Sequence, residues 1–419
     1  MIFGKKTTRC GLIGERLGHS FSPQIHRHLA DYSYELFEMS EDEVGSFLKS
    51  DKFDSTNVTI PYKKTVMPFL DEISDEAMRI GSVNTITRLP GGGLRGDNTD
   101  YFGFSYMLKK SGIGVCGKNV LILGTGGASL TAGTVSSDMG AKKVTFVSRT
   151  GEINYENVYD RCADTEVIIN CTPVGMYPKN LVSPIKLERF SRLEGVADMI
   201  YNPARTLLLL DAERLGIKCT NGLSMLVAQA KKACELFLDV KIDDGEIDRI
   251  VSLIENETMN IVLVGMPGCG KSTVASLISE MTGRELIDTD ALIVQNENRS
   301  ISDIFATEGE DFFRTCEHRA ATEAGKLSSK VIATGGGIVT REENLDALRQ
   351  NGRIFFIERD ISLLSRDGRP LSIGSDLSKM YEKRLPLYEK FADASVNNSL
   401  APEDCAQKII DLFKKECAK

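Results

Sequence analysis

Residues 260–273 read NIVLVGMPGCGKST, an apolar β-branched run that leads into a glycine-rich loop and then into a helical stretch. The spacing of Gly265, Gly270, Lys271 and Ser272 is that of a complete P-loop, between a strand and a helix as the motif requires. In such a loop the backbone amides surround phosphates, the lysine reaches the β- and γ-phosphate oxygens and the hydroxyl ligates Mg²⁺. The stretch therefore predicts a parallel α/β domain that binds a nucleoside triphosphate.

Two other short strands also end in glycine-rich turns. Asn119–Leu123 (NVLIL) precedes GTGGAS, and Lys330–Ala333 (KVIA) precedes TGGG. Apolar runs alternate with segments of helical period nearly throughout, which is the pattern of parallel sheets with crossover helices. The turn after residue 123 and the P-loop are phosphate sites of different kinds, so we expect them in different domains.

The fold class predicted is α/β, with three parts. Residues 1–100 form an α/β substrate lobe, completed by helices in 222–255, and residues 101–221 form a Rossmann lobe. Residues 259–419 form a P-loop kinase domain, a parallel sheet flanked by helices. Within the first lobe, PGGGL at 90–94 is typical of a hairpin turn.

Composition excludes several classes of protein. The 419 residues include 51 Lys and Arg against 59 Asp and Glu, a net charge of −8 that argues against nucleic-acid binding. No apolar run approaches the ~18 residues of a membrane span, and the first residues lack the pattern of a signal peptide. The ten cysteines form no C-x-x-C pair, and the four histidines form no H-E-x-x-H motif. We expect a cytoplasmic protein with neither a membrane nor a nucleic-acid partner, and without a histidine-ligated metal.

The turn after residue 123 has the features of a dinucleotide site. Its glycines let the backbone approach a pyrophosphate, and the next helix offers its N-terminal amides. The following strand, Lys143–Val147, ends in Ser148, Arg149 and Thr150, where an NAD site usually offers an acid to the ribose. An arginine with two hydroxyls suits a 2′-phosphate, so NADP is favoured over NAD.

Two polar residues of the first lobe are ambiguous when taken singly. Lys63 follows a strand and a proline turn in NVTIPYK, where a lysine is usually solvated surface. Asp100 ends GDNTD, where an aspartate usually caps a helix.

Taken with other motifs, however, these two stretches resemble shikimate dehydrogenase across nearly all of residues 8–250. The matching stretches are Gly14–Pro23 (GERLGHSFSP), Asn57–Lys63, Gly81–Thr85 (GSVNT), Gly96–Asp100, Ile169–Met176 (INCTPVGM), Asp198–Pro203 (DMIYNP) and Asn221–Gln229 (NGLSMLVAQ).

The resemblance implies roles for individual residues. Lys63 and Asp100 would form the acid–base pair that acts on the carbonyl, because a carboxylate beside an ammonium fixes it and tunes its pKa. Substrate contacts would come from Ser20 and Ser22 for the carboxylate, from Thr59, Asn84, Asp100 and Gln229 for the hydroxyls, and from Tyr201 in the pocket wall. NADP would be held by Gly124, Gly126, Gly127, Ala128, Ser148, Arg149, Thr150, Asn170, Thr172 and Met225.

This sequence also departs from the family's pattern. Arg27 follows His26 where the family usually has asparagine, Ser148 stands where the 2′-phosphate motif often begins with asparagine, and Ile153 replaces a second basic residue. The last two leave the strictness of NADP selectivity open.

The C-terminal part offers a pattern of acids and arginines after the P-loop. Asp288 and Asp290 lie at a strand end, Arg314 and Glu317 lie one turn apart on a helix, and a triple glycine occupies residues 335–337. Arg369 and Arg384 follow in polar surroundings. Several arginines beside a glycine-rich backbone suggest a kinase for a small carboxylate-bearing polyol.

This pattern resembles shikimate kinase over about Met259–Leu412. The resemblance implies that Asp290 holds and activates the accepting hydroxyl, and that Arg314 and Arg384 grip the carboxylate. Gly335, Gly336 and Gly337 would shape the pocket floor, while Arg369, in a lid over Arg366–Asp376, would close on ATP. ATP would be held by Gly265, Gly268, Gly270, Lys271, Ser272, Thr273 and Arg369, and Mg²⁺ by Ser272 and, through water, by Asp288. Asn397 stands where an acid is common in the adenine-side loop.

The two resemblances together predict a bifunctional enzyme of the shikimate pathway, which leads to chorismate and the aromatic amino acids. The first half would reduce 3-dehydroshikimate to shikimate with NADPH, and the second would phosphorylate shikimate with ATP and Mg²⁺. Two alternatives stay open: a quinate- or NAD-using dehydrogenase fused to a kinase, and a metabolite-sensing regulator built from these domains. Oligomeric state is not derivable from the sequence.

Overall fold

The structure is a computed structural model that describes residues 8–18, 20–364, 377–399 and 401–417. The chain divides into two compact units. The first takes the described residues up to Val174, with Ser183–Tyr201 and Asp211–Val251. The second takes Gly175–Val182, Asn202–Leu210 and the described residues from Ser252 onward.

The first sheet of unit one has six strands in the order β2-β1-β3-β5-β6-β4. Its strands are β1 (Arg9–Gly14), β2 (Ser33–Glu38), β3 (Ser55–Val58), β4 (Glu72–Ile73), β5 (Thr85–Arg88) and β6 (Leu94–Asp97), with helices α1 (Ser22–Leu29), α2 (Glu41–Lys49) and α3 (Asp75–Ile80). β5 runs antiparallel to both β3 and β6, while the other pairs are parallel. The hairpin predicted at residues 90–94 is therefore confirmed, and it makes this sheet mixed.

The second sheet of this unit is wholly parallel, in the order β11-β10-β9-β7-β8. Its strands are β7 (Asn119–Leu123), β8 (Lys143–Val147), β9 (Val167–Asn170), β10 (Gly195–Asp198) and β11 (Lys218–Thr220), and the helices along this part of the chain are α4 (Asp100–Ser111), α5 (Gly127–Asp138), α6 (Val158–Arg161) and α7 (Leu207–Arg214). Two helices follow, α8 (Leu223–Leu238) and α9 (Gly245–Thr258). α8 packs on α1 and α4, because its apolar positions recur at helical spacing and are buried.

Unit two is built on a parallel sheet in the order β13-β14-β12-β15-β16. Its strands are β12 (Asn260–Val264), β13 (Glu285–Asp288), β14 (Lys330–Ala333), β15 (Gly352–Glu358) and β16 (Ala394–Asn397), with helices α10 (Lys271–Thr282), α11 (Thr289–Glu297), α12 (Ile301–Gly325), α13 (Glu342–Arg349), α14 (Leu377–Phe391) and α15 (Pro402–Cys417). All five residues of β12 are buried, as expected for a central parallel strand covered on both faces.

The central strands place the glycine-rich turns. β7 lies between β8 and β9, and β12 lies between β14 and β15, so the strand order reverses at each of them. Such reversal points open a crevice at the carboxyl ends of the strands. Both glycine-rich turns follow directly at those ends, and the α/β fold class is confirmed.

Candidate active sites

Unit one contains a cavity of about 500 Å³, lined by residues of its first sheet and by residues of loops and helices that follow strands of its second sheet. It gathers residues that the sequence singles out: Ser20, Ser22, Thr59, Lys63, Asn84, Asp100, Ala128, Tyr201, Met225 and Gln229. These residues are scattered over most of the length of unit one, so the fold alone brings them together. The volume lies in the range typical of small-molecule sites.

Two residues that line this cavity, Lys63 and Asp100, form an ion pair. The Nζ of Lys63 donates to Oδ2 of Asp100 at 2.6 Å, with 26% and 14% of the two side chains exposed. Lys63 follows β3, whereas Asp100 is the first residue of α4. The ammonium is thus held by one partner and still accessible to a ligand in the cavity.

Buried hydrogen bonds fix the side chains around that pair. Oδ1 of Asn84 accepts the backbone N–H of Thr99 at 2.7 Å, next to Asp100. The hydroxyl of Thr99 lies 3.4 Å from Oε1 of Gln229. Asn57, which has no role predicted from the sequence, also lines the cavity, and it donates to the hydroxyl of Thr85 at 3.1 Å. The polar wall is therefore one connected network.

Two loops of unit one form the predicted cofactor side. Gly124 has a φ of +107°, which favours glycine, and Gly126 is the N-cap residue of α5, where it offers no capping side chain. The first amides of α5 are thus left for an anion, which fits a dinucleotide pyrophosphate. Beyond β8, Arg149 and Thr150 are exposed, as a site for a 2′-phosphate requires.

The P-loop of unit two has the backbone its glycines allow. Gly265, Gly268 and Gly270 have φ values of +154°, +86° and +96°, which favour glycine. Lys271 is buried, and its Nζ donates to the carbonyl oxygens of Gly265 and Met266 at 2.9 and 3.0 Å. α10 begins at Lys271 with no side-chain cap, so its amides also suit phosphate.

Two carboxylates converge on the triple glycine. A Cβ at Gly335 would lie 2.7 Å from Oδ1 of Asp290 and 3.1 Å from Oε1 of Glu317. Within the described ranges, both oxygens are buried without a hydrogen-bond partner. Burial raises the pKa of Asp290 to about 6, with Asp288 and Glu317 adding to the rise while Lys271 and Arg314 oppose it. An acid with such a pKa can accept a proton near neutral pH.

Arginines border the same place. Arg314 is buried, and it pairs with Glu317 and Glu310 at 2.8 Å each. A Cβ at Gly337 would overlap its guanidinium, so the glycine makes room for the arginine. Arg384 donates to the carbonyl of Gly336 at 3.1 Å. The structure thus brings together the predicted acid, both predicted arginines and the glycines.

Of the remaining predicted kinase residues, the structure describes three, at the starts of α10 and α11. Ser272 and Thr273 lie in the first turn of α10 and are exposed, so their hydroxyls are accessible to a metal ion or a phosphate. Asp288 caps α11, and its Oδ1 accepts the N–H of Asp290 at 2.8 Å. Arg369, with the lid over residues 366–376, lies outside the described residues.

Family models match both halves. The model of the shikimate dehydrogenase substrate-binding domain matches residues 12–86, and the shikimate kinase model matches residues 267–414. Shikimate dehydrogenase (NADP(+)) of Clostridium beijerinckii is 38% identical over 267 residues, which cover 59% of this chain and 98% of the relative. The chain belongs to the shikimate dehydrogenase family. It joins a shikimate dehydrogenase to a shikimate kinase domain, and both resemblances seen in the sequence are confirmed.

Solved structures agree for the dehydrogenase part. A chorismate mutase/shikimate 5-dehydrogenase fusion protein from Clostridium acetobutylicum is 38% identical, with a TM-score of 0.56 over 60% of this chain and 98% of that one. Shikimate 5-dehydrogenase from Thermus thermophilus, in complex with NADP(H) and shikimate, is 29% identical, with a TM-score of 0.53 over 58% and 98%. No helix in the described ranges is long and apolar enough to cross a membrane.

Two residues that the structure places at the kinase site were not predicted from the sequence. Asn398, next to Asn397 in the predicted adenine-side loop, donates to the carbonyl of Cys269 in the P-loop at 2.8 Å. Tyr388 donates to the carbonyl of Gly336 at 2.5 Å. Neither lies in a motif with a known spacing, and a helical tyrosine four residues after Arg384 was the one available signal.

Proposed function

We propose that this chain catalyses two consecutive steps of the shikimate pathway. Its first half reduces 3-dehydroshikimate to shikimate with NADPH, and its second half phosphorylates shikimate to 3-phosphoshikimate with ATP and Mg²⁺. The observation that carries the reductase assignment is the Lys63–Asp100 pair at 2.6 Å inside a cavity lined by hydroxyl and amide groups.

In the dehydrogenase, the residues that line the cavity divide the reaction into proton delivery and substrate binding. Bound NADPH supplies the hydride. Lys63 hydrogen-bonds the carbonyl oxygen that becomes the alcohol and delivers its proton, while Asp100 keeps the ammonium in place. Ser20 and Ser22 hold the carboxylate, and the backbone N–H of Ser22 donates to the hydroxyl of Ser20 at 3.2 Å, which supports a shared site.

The remaining dehydrogenase contacts follow from the same cavity. Asn84, Thr59 and Gln229 bind the ring hydroxyls, and Tyr201 and Met225 line the wall. The exposed Arg149 binds the 2′-phosphate of NADP, because a planar guanidinium forms paired hydrogen bonds with phosphate.

In the kinase, Asp290 accepts the proton of the attacking hydroxyl. Arg314 and Arg384 bind the carboxylate through charge-assisted hydrogen bonds. ATP, when bound at the P-loop, would supply the phosphoryl group, and the ammonium of Lys271 would bind its phosphate oxygens. Ser272 and Asp288 offer hydroxyl and carboxylate oxygens, the donors that Mg²⁺ prefers.

Substrate specificity tests this proposal directly. The dehydrogenase is assayed with 3-dehydroshikimate and 3-dehydroquinate, each with NADPH and NADH, and the kinase with shikimate and quinate. We expect the highest kcat/KM for 3-dehydroshikimate with NADPH and for shikimate with ATP. Higher values with 3-dehydroquinate or NADH would assign the first half to quinate metabolism. Binding of these compounds without turnover would indicate a regulator.

A further inference from the structure

Asp198 is a fully buried carboxylate at the last residue of β10. Its Oδ1 accepts two hydrogen bonds of 3.0 Å, one from Nδ2 of Asn170 and one from the backbone N–H of Ile200. Asn170 ends the neighbouring strand β9, directly opposite Asp198 in the sheet register. Burying a carboxylate is costly unless hydrogen bonds compensate for lost water, so its position has a structural purpose.

The first of these bonds orients the amide of Asn170. A carboxylate only accepts, so the NH₂ of Asn170 has to face Asp198. The amide oxygen then faces the other way, where it accepts the N–H of Thr172 at 3.0 Å and its hydroxyl at 2.7 Å. A reversed amide would set its oxygen against the carboxylate of Asp198 and its NH₂ against the backbone N–H of Thr172. Asp198 thereby sets the conformation of the loop that carries Thr172.

The second hydrogen bond, from the backbone N–H of Ile200, fixes one wall of the substrate cavity. Ile200 lies between Met199 and Tyr201, which both line the cavity of unit one. The carbonyl of Ile200 accepts the N–H of Gly222, another lining residue, at 3.0 Å. One carboxylate oxygen therefore fixes both the loop that carries Thr172, a predicted NADP contact, and the wall of the substrate cavity.

We propose that Asp198 is a positioning residue that fixes both the loop carrying Thr172 at the NADP site and the wall of the substrate cavity. This role rests on the proposed dehydrogenase function. It touches neither ligand, since its side chain is fully buried. It acts through Asn170 on Thr172, and through Ile200 on Tyr201. Asn170 is itself fully buried, so it also serves the cofactor by holding Thr172.

The test compares Asp198→Ala with Asp198→Asn in the full-length chain. An amide oxygen can accept both bonds that end on Oδ1, whereas alanine removes both. In shikimate oxidation with NADP⁺, we expect Asp198→Ala to raise the KM for shikimate and the KM for NADP⁺ at least about fivefold each. In Asp198→Asn, both KM values should stay within about twofold of those of the wild-type chain. Binding of NADPH, followed by its fluorescence, should weaken by the same factor without any turnover.

Two further variants separate positioning from stability. Asp164→Ala removes a bond of 2.8 Å to Asn119 at the opposite end of the same sheet, and should leave both KM values unchanged. Thr172→Val should raise the KM of NADP⁺ alone. If Asp198→Ala does not fold, Asn170→Ala replaces it, because it cuts only the branch toward Thr172 and should likewise affect only the cofactor.

Three results would overturn the proposal. The first is that both KM values are unchanged in folded Asp198→Ala. The second is that they rise as much in Asp198→Asn as in Asp198→Ala. The third is that they rise as much in Asp164→Ala. A wild-type chain that does not oxidise shikimate with NADP⁺ would instead refute the dehydrogenase assignment. In that case NADPH fluorescence still compares the variants.

Discussion

Lys63 and Asp100 lie 37 positions apart, on a loop after β3 and at the start of α4, yet their charged atoms are 2.6 Å apart. Neither residue indicates catalysis by itself. Their contact inside a cavity of polar groups is what distinguishes a proton donor from a surface lysine.

Removal of this ammonium should abolish reduction. Lys63→Ala should lower the dehydrogenase kcat by about 10²-fold or more, because general acid catalysis contributes at least that factor. The kinase rate of the same chain should stay unchanged. The exposed neighbour Lys64 provides a matched control, since Lys64→Ala removes an equal charge outside the cavity. A dehydrogenase loss in Lys64→Ala as large as in Lys63→Ala would contradict this role.

Cofactor preference should depend on Arg149. Arg149→Asp places a negative charge where the 2′-phosphate would bind, so kcat/KM with NADPH should fall at least about tenfold. With NADH it should hold or rise, because aspartate can accept from the 2′-hydroxyl. Lys142→Asp, another exposed charge reversal in unit one, should change neither value. An unaltered NADPH/NADH ratio in Arg149→Asp would place the selectivity elsewhere.

The kinase should lose activity in mild acid. Burial raises the pKa of Asp290 to about 6, and only the ionised carboxylate can accept the hydroxyl proton. The kinase kcat/KM should therefore rise with pH up to about 6 and level off above it. In Asp290→Asn, the kinase rate should be low and should not rise with pH in this range. A wild-type profile that is flat from about pH 5 to 7 would argue against Asp290 as the base.

Substitutions at the adjacent Gly336 and Gly337 should affect the binding of different kinase ligands. An alanine side chain at Gly337 would overlap the guanidinium of Arg314, which Glu310 and Glu317 hold in place. Gly337→Ala should therefore raise the KM for shikimate about tenfold or more and spare that for ATP. At Gly336 the added Cβ would lie 2.6 Å from the ring of Pro267 in the P-loop, so Gly336→Ala should mainly raise the KM for ATP. Equal effects of both variants on both ligands would indicate general misfolding.

Much of the fold could be predicted from local patterns. The strands of residues 119–123, 260–264 and 330–333 have the bounds expected, because buried parallel strands are continuous apolar runs that here end at glycine-rich turns. The edge strand of residues 143–147 also has the bounds expected. The hairpin around residues 90–94 followed from turn chemistry in the same way.

Networks made by tertiary packing could not be predicted this way. Asp198 and Asn170 meet because β9 and β10 are neighbours in register, and each residue alone resembles an ordinary loop polar group. The close approach of Arg314 to Gly337 likewise depends on how α12 packs near the end of β14. Such pairs are set by the packing of distant segments, which local periodicity does not encode.

The most direct test of the account follows both reactions in one vessel. The full-length chain is incubated with 3-dehydroshikimate, NADPH, ATP and Mg²⁺, with an ATP-free control, while NADPH loss is recorded and products are quantified by mass spectrometry. We predict that NADPH is consumed in both samples, and that shikimate accumulates without ATP but becomes 3-phosphoshikimate with it. Shikimate that stays unphosphorylated with ATP, or NADPH that is not consumed, would contradict a bifunctional enzyme.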